Sequence, residues 1–369
     1  MAQPPTIHRV HLELTDVDRG VYETLDLRLA RHPSETIRFM VLRVLACLPL
    51  AAASVFAQNI VRGPYLQQGT PTSVVVRWRT DVPTDTAVRF GQSPDKLDQE
   101  VKTKWKTTEH VMAIEGLTPF TKYHYAIGNA EKTLGGEDGK GHFITSPKPG
   151  TRQPIRTWVI GDAGTASASG NVGLQAQVRD AYYKYTGSRH TDNWLMLGDN
   201  AYSTGTDKEH QIAVFDMYRD ILKTSVVWPT LGNHDAGSAA SVTQSGVYYD
   251  IFTLPTMAQA GGLMSGTEAY YSFDYGNVHY VCLNSQDTDR SPNGAMLTWL
   301  KADLESTKQD WIIVYFHHPP YTKGSHDSNT ERQLVEMRTN ALPIMEAGGV
   351  DLCLTGHSHS YERSFLLDR

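Results

Sequence analysis

Six apolar segments in the later part of this chain, RTWVIGD, NWLMLGD, VVWPTLGN, HYVCLNS, DWIIVYFHH and VDLCLTGH, alternate with helix-like stretches near 171–185, 207–223, 294–307 and 330–347. That alternation constrains the fold more than any other feature. Strands apolar on both faces must be covered on both sides, so the pattern predicts a layered α/β domain over about 150–369. Five of the strands run into a polar, mostly Gly-containing loop: GDAG at 161, GDNAY at 198, GNHD at 232, VYFHHP at 314 and GHSH at 356. One Gly-Asp after a strand is ordinary turn chemistry. Five such loops bearing Asp, Asn, Tyr or His are not, and in open α/β sheets ligands bind beyond the carboxyl ends of the strands.

The donors in these loops are oxygen and nitrogen with no thiolate. That set suits iron, zinc or manganese and disfavours a structural zinc site. A pair of such ions needs a shared anionic bridge, which a carboxylate supplies. Taken singly, each residue has a bland reading: Asp162 and Asp199 as helix caps, Asn233 as a turn residue, Tyr202 as packing, His357 and His359 as surface loop histidines. It is the recurrence of the pattern that argues for a site. His317 and His318 are adjacent, so an extended segment turns them to opposite sides, whereas the alternating His357 and His359 point the same way.

The front of the chain reads differently. From 58 to 149, short β-branched and aromatic runs at 73, 86, 110, 122 and 141, separated by Pro, Gly and Asp turns, predict an antiparallel β-sandwich, with Tyr123 in LTPFTKYHYAIG placed as a tyrosine corner. Lys148–Thr151 reads as the linker. Met40–Gln58 has a basic residue, Arg43, then thirteen apolar-rich residues and a small-residue cleavage site, which predicts a signal peptide over 40–57 and a secreted or periplasmic protein; a buried helix is the alternative, and the run is too short for a bilayer. Cys282 and Cys353 lie in apolar strands and read as buried thiols, with no disulfide implied. A net charge of −6 over 369 residues argues against a nucleic-acid-binding surface. Residues 1–39 do not belong ahead of an export signal and read as a fusion or a mis-assigned start, with Met40 the natural initiator.

Two resemblances follow from these residues. Residues 1–46, above all LARHPSET, resemble the opening of the YaeQ family, too little of it to carry an activity over. From about 60 onward the chain resembles the metallophosphoesterases, and among them the purple acid phosphatases: the pattern D-x-G, G-D-x-x-Y, G-N-H-D/E, V-x-x-H and G-H-x-H occurs in order, behind a PYLQ-containing front sandwich of fibronectin III type.

The resemblance implies that Asp162, Asp199, Tyr202 and His359 hold one metal and Asn233, His317 and His357 the second, with Asp199 bridging and His318 packing behind. It implies two metal ions, Fe(III) with Fe(II), Zn(II) or Mn(II), since a tyrosine phenolate favours ferric iron. His234, oriented or charge-tuned by Asp235, and His326 would face a small phosphorylated substrate while a metal-bound hydroxide attacks phosphorus. A phosphodiesterase or nucleotidase would use the same ligands. A non-catalytic binding protein is the third reading, because Arg369 lies ten residues after His359 and would leave GHSH at a frayed, shortened edge.

Overall fold

The computed structural model describes residues 58–136, 138–166 and 172–364. The YaeQ-like segment and the signal peptide therefore lie outside the described residues.

The front sandwich is built on β1 (Ile60–Gln67), β2 (Val74–Gly91), β3 (Gln99–Ile114), β4 (Lys122–Gly128), β5 (Thr133–Gly135) and β6 (His142–Ile144). The runs at 73 and 86, read from sequence as two strands, are one bent strand, β2. Its antiparallel register with β3 breaks between Arg79 and Thr84, where Pro83 has no N–H to give, and resumes beyond. Before the break β2 pairs β1 and after it β4, so one hairpin serves both layers of the sandwich. Tyr123 makes the expected corner: its hydroxyl accepts from the Thr118 amide at 3.1 Å.

The second part is layered as its alternation predicts. Parallel β7 (Thr157–Ile160), β8 (Asn193–Met196) and β9 (Val226–Pro229) form one sheet. After a short hairpin, β10 (Ala239–Ala240) and β11 (Ser245–Gly246), a second sheet follows with order β12 (Tyr271–Tyr275), β13 (Val278–Cys282), β14 (Trp311–Phe316) and β15 (Leu352–Thr355), parallel apart from β12. The sheets face each other through Trp228 of β9 stacked on Phe273 of β12 at 3.9 Å, and Phe273 stacks in turn on its cross-strand partner Tyr280 at 4.7 Å. Helices cover both outer faces. Tyr182, on Val172–Thr186, stacks on Trp158 at 4.1 Å, while Leu297, Leu300 and Met345 pack on Val281 and Val314.

The sequence reading missed β12, although the Gly276-Asn277 pair was its hairpin signal. The helix expected at 207–223 is broken into Asp207–His210, a π turn at Gln211–Asp216, and Arg219–Leu222. The one at 330–347 has a π turn at Met337–Ala341 ahead of Pro343, whose ring cannot sit inside a regular helix. Leu66 pairs in parallel with Val226, so the front sandwich and the first parallel sheet share a nine-stranded sheet. The linker is docked rather than free, Gly150 donating to the Gly276 carbonyl at 2.8 Å.

Candidate metal centre

The carboxyl ends of β7, β8, β9, β14 and β15 lie together, and each delivers its loop to one place. Four of the donor residues there, Asp162, Asp199, His357 and His359, hold positive φ of 55°, 51°, 72° and 48°. Non-glycine residues rarely do so, and such backbone clusters at functional sites. The glycines before them allow the loops to interlock. A Cβ on Gly198, itself at φ +88°, would lie 2.6 Å from Nδ1 of His317, and one on Gly356 would lie 2.5 Å from Oδ2 of Asp162.

Two sets of donors result. In the first, the Tyr202 hydroxyl is 3.3 Å from Oδ1 of Asp162, 3.1 Å from Oδ2 of Asp199 and 3.1 Å from Nε2 of His359. In the second, Nε2 of His317 is 3.0 Å from Oδ1 of Asn233, 3.1 Å from Nδ1 of His357 and 3.4 Å from Oδ1 of Asp199. Asp199 thus turns one oxygen to each set. Ligand atoms about 2.1 Å from a common ion sit about 3.0–3.4 Å apart in octahedral or tetrahedral geometry, the range seen here.

The protons agree. Nδ1 of His317 donates to the Leu197 carbonyl at 2.8 Å, which leaves Nε2 as the lone-pair nitrogen. Nε2 faces a carboxylate, an amide oxygen and a second imidazole, a convergence of acceptors that a cation satisfies; without one a proton does, since burial opposes the charge on His317 but Asp199 and Asp162 raise it to about 9. Burial, then the positive neighbours His317 and His326, lower His357 to about 4, keeping it neutral as a ligand must be. Burial works against the charge on Asp199, yet His317 and His234 hold it below the usual carboxylate range. Burial and the two carboxylates push the Tyr202 phenol upward.

Around the centre, His234 donates from Nδ1 to the Ser203 carbonyl at 2.6 Å, so its Nε2 is the nitrogen left for a ligand. His326 stacks on His357 at 3.6 Å. His318 has Nδ1 2.9 Å from the Ser285 hydroxyl, and its ring lies 4.4 Å from that of His357, so that with His317 and His357 it forms a further set of nitrogens that could hold an ion. The role expected for Asp235 is not what the geometry gives. Its fully buried carboxylate accepts from the amides of Asn200 (3.0 Å), Ala201 (3.2 Å) and Gly232 (2.9 Å) and does not meet the His234 ring. Gly232 and Asn233 precede it by only a few residues, and the turn folds the carboxylate back onto their loop. Burial and Asp199 raise it to about 7.

Glu331 was missed from sequence. It binds Nδ1 of His326 at 2.9 Å and lies 3.4 Å from Nε2 of His357; its one signal was its place five residues beyond His326. The GHSH loop is not frayed within the described residues. Gly356 donates to the His317 carbonyl at 3.0 Å, His357 donates to Asp162 at 2.7 Å, and Glu362 accepts from Thr322 and Lys323 beside it.

This fold and centre define a class, and the family models agree: the calcineurin-like phosphoesterase model matches residues 155–361, and the chain belongs to that family. The purple acid phosphatase N-terminal domain model matches residues 62–145 and the YaeQ model residues 1–78, further than the resemblance at 1–46 and into β2. Relatives include purple acid phosphatase 18 of Arabidopsis thaliana, 28% identical over 301 residues and covering 78% of this chain and 63% of that protein. Acid phosphatase type 7 of Homo sapiens is 26% identical over 326 residues, covering 80% and 68%. The chain spans less than two thirds of the length of several of these relatives, 61% in the case of purple acid phosphatase 21 of Arabidopsis thaliana. Among solved structures, a purple acid phosphatase from yellow lupin seeds shares the fold at TM-score 0.57 and 18% identity, over 80% of this chain and 57% of that one. PhoD does so at TM-score 0.56 and 15% identity, over 80% and 71%.

Proposed function

We propose that this chain is a dinuclear-metal phosphatase of the purple acid type, hydrolysing small phosphomonoesters. The observation that carries the reading is Asp199, whose two oxygens face two donor sets, Asp162–Tyr202–His359 and Asn233–His317–His357. With Tyr202 as a ligand, the first site is assigned to Fe(III) and the second to Fe(II), Zn(II) or Mn(II). When bound, two such cations neutralise phosphate charge and acidify a water so that it is nucleophilic near neutral pH.

The protein's own groups supply the rest. His234 presents Nε2 to the leaving oxygen and gives it a proton, because Nδ1 is committed to Ser203. His326, with Nδ1 held by Glu331, presents Nε2 to a phosphate oxygen. No side chain is needed as nucleophile. In the same reading the chain is exported, supported by the basic-then-apolar segment Met40–Gln58; active protein that stays in the cytoplasm with that segment uncleaved would count against it. Among the described residues no helix is long and apolar enough to cross a membrane.

The test is kinetic. Metal-loaded protein is expected to cleave p-nitrophenyl phosphate faster than bis(p-nitrophenyl) phosphate, and a diester rate equal or higher would turn the reading to a phosphodiesterase.

A further inference from the structure

A polar network beside the metal centre lies in the loop after GDNAY, and of it the proposed chemistry uses only the Ser203 carbonyl. Glu209 accepts from three backbone amides of that loop, Ser203 at 2.6 Å, Thr204 at 3.2 Å and Thr206 at 2.8 Å. Thr206 answers by accepting from the Glu209 amide at 3.3 Å, a reciprocal capping box that fixes the start of Asp207–His210. The carbonyl of Ser203, in the same loop, is the group that takes the proton of His234 Nδ1. Glu209 therefore sets the position of the one acceptor that orients His234.

The same helix start is clamped from the front sandwich. Arg79 of β2 grips Asp207 with a two-pronged fork, 2.7 and 2.9 Å, and Arg62 of β1, only 2% exposed, meets it at 2.9 Å. Arg62 and Arg79 are register partners across β1 and β2, so the strand pairing itself aims both at one carboxylate. The Arg62 guanidinium also lies 4.4 Å over the Phe215 ring. Planar bidentate contacts of this kind fix orientation as well as charge.

We propose that Glu209 is the positioning residue for His234, and that Arg79, through Asp207, holds Glu209 in register, so that the front sandwich is part of the hydrolytic machinery. The inference rests on His234 serving as the leaving-group acid. A ring held by one hydrogen bond loses its aim when the acceptor drifts, and misplacement by about 1 Å can cost up to about 100-fold.

The test uses the full, metal-loaded chain with aryl phosphates whose leaving groups differ in acidity. Glu209→Ala is expected to lower kcat for phenyl phosphate about tenfold or more and that for p-nitrophenyl phosphate less than about threefold, with KM little changed, since only the poorer leaving group needs the proton. In a His234→Ala background it is expected to cost nothing further. Glu209→Gln, which keeps one acceptor oxygen, is expected to recover part of the loss. Hydrogen exchange of the 203–206 amides in metal-free protein is expected to quicken in Glu209→Ala and in Arg79→Ala. Equal losses on both substrates, losses additive with His234→Ala, or unchanged exchange would each overturn the proposal. Should Glu209→Ala not fold, Arg79→Lys, which keeps the charge but loses the fork, is judged by the same criteria. A His234→Ala variant as active as the parent on phenyl phosphate overturns the acid role beneath; an impaired His234→Ala with an unimpaired Glu209→Ala overturns the positioning alone.

Discussion

Nε2 of His317 and Nδ1 of His357 face each other at 3.1 Å, and in their neutral forms both are lone-pair nitrogens, since the other nitrogen of each ring meets the Leu197 carbonyl or the Glu331 carboxylate. Two facing lone pairs need a shared cation: in metal-free protein it is the proton of His317, opposed by burial but raised to about 9 by Asp199 and Asp162, and a metal ion takes that proton's place. Binding that favours only the folded chain stabilises it, by about 2.7 kcal/mol at a metal concentration 100 times the Kd. Chelation is accordingly expected to lower the melting temperature by roughly 5–10 °C for a domain of this size, and adding back Zn(II) or Mn(II) to restore it. A melting temperature indifferent to chelator would contradict the pairing.

Tyr202 makes a separate prediction, because its hydroxyl touches both carboxylates and His359 and is pushed up by burial and by those carboxylates. It can serve as phenolate only against a strongly acidic cation, ferric iron above all. Iron-loaded protein is expected to show a visible charge-transfer band that Tyr202→Phe abolishes while leaving the far-ultraviolet dichroism unchanged. A band that survives the substitution would remove Tyr202 from the ligand set.

The site was legible because its loops combine two local signals: glycine where backbones must interlock, as at Gly198 against His317, and donor side chains immediately after apolar strands. What escaped had no local signal. Arg79 and Asp207 are separated by 128 residues, and nothing in the periodicity of either segment announces the partner. The bend in β2 was read as a turn because Asp81-Val82-Pro83-Thr84-Asp85 has turn chemistry, yet pairing with β3 on both sides carries one strand through it. Asp235 was read as a companion of His234 from adjacency, whereas the turn directs its carboxylate to the amides of Asn200, Ala201 and Gly232.

Away from the centre, His279 is fully buried between Asp274, 2.8 Å from Nδ1, and Asp303, 2.9 Å from Nε2. Burial opposes its charge, but the two carboxylates outweigh it and raise it to about 9. Because the folded value exceeds the unfolded one, the stabilisation is complete below pH of about 6.5 and is lost as the pH climbs through about 9. The shift corresponds to about 3 kcal/mol. Urea unfolding followed from pH 6 to 9.5 is expected to show stability falling across that window, and His279→Gln to be less stable at pH 6 with a flatter profile. An equally steep decline in the variant would assign the effect to other groups.

His234 and Asp235 are neighbours in sequence with opposite expected phenotypes. Asp235 satisfies three buried amides and the Asn200 side chain, so Asp235→Ala strands several donors at about 1 kcal/mol or more each and is expected to cost about 3 kcal/mol or more of stability. Its loss of activity should follow the loss of folded, metal-loaded protein. His234 is partly open to solvent and makes one side-chain hydrogen bond, to Ser203, so His234→Ala is expected to change the melting temperature little while lowering kcat by about 100-fold or more on poor leaving groups. Melting curves and kcat measured side by side for the two variants separate the roles. A stable Asp235→Ala with a selective defect on poor leaving groups would return that carboxylate to the chemistry.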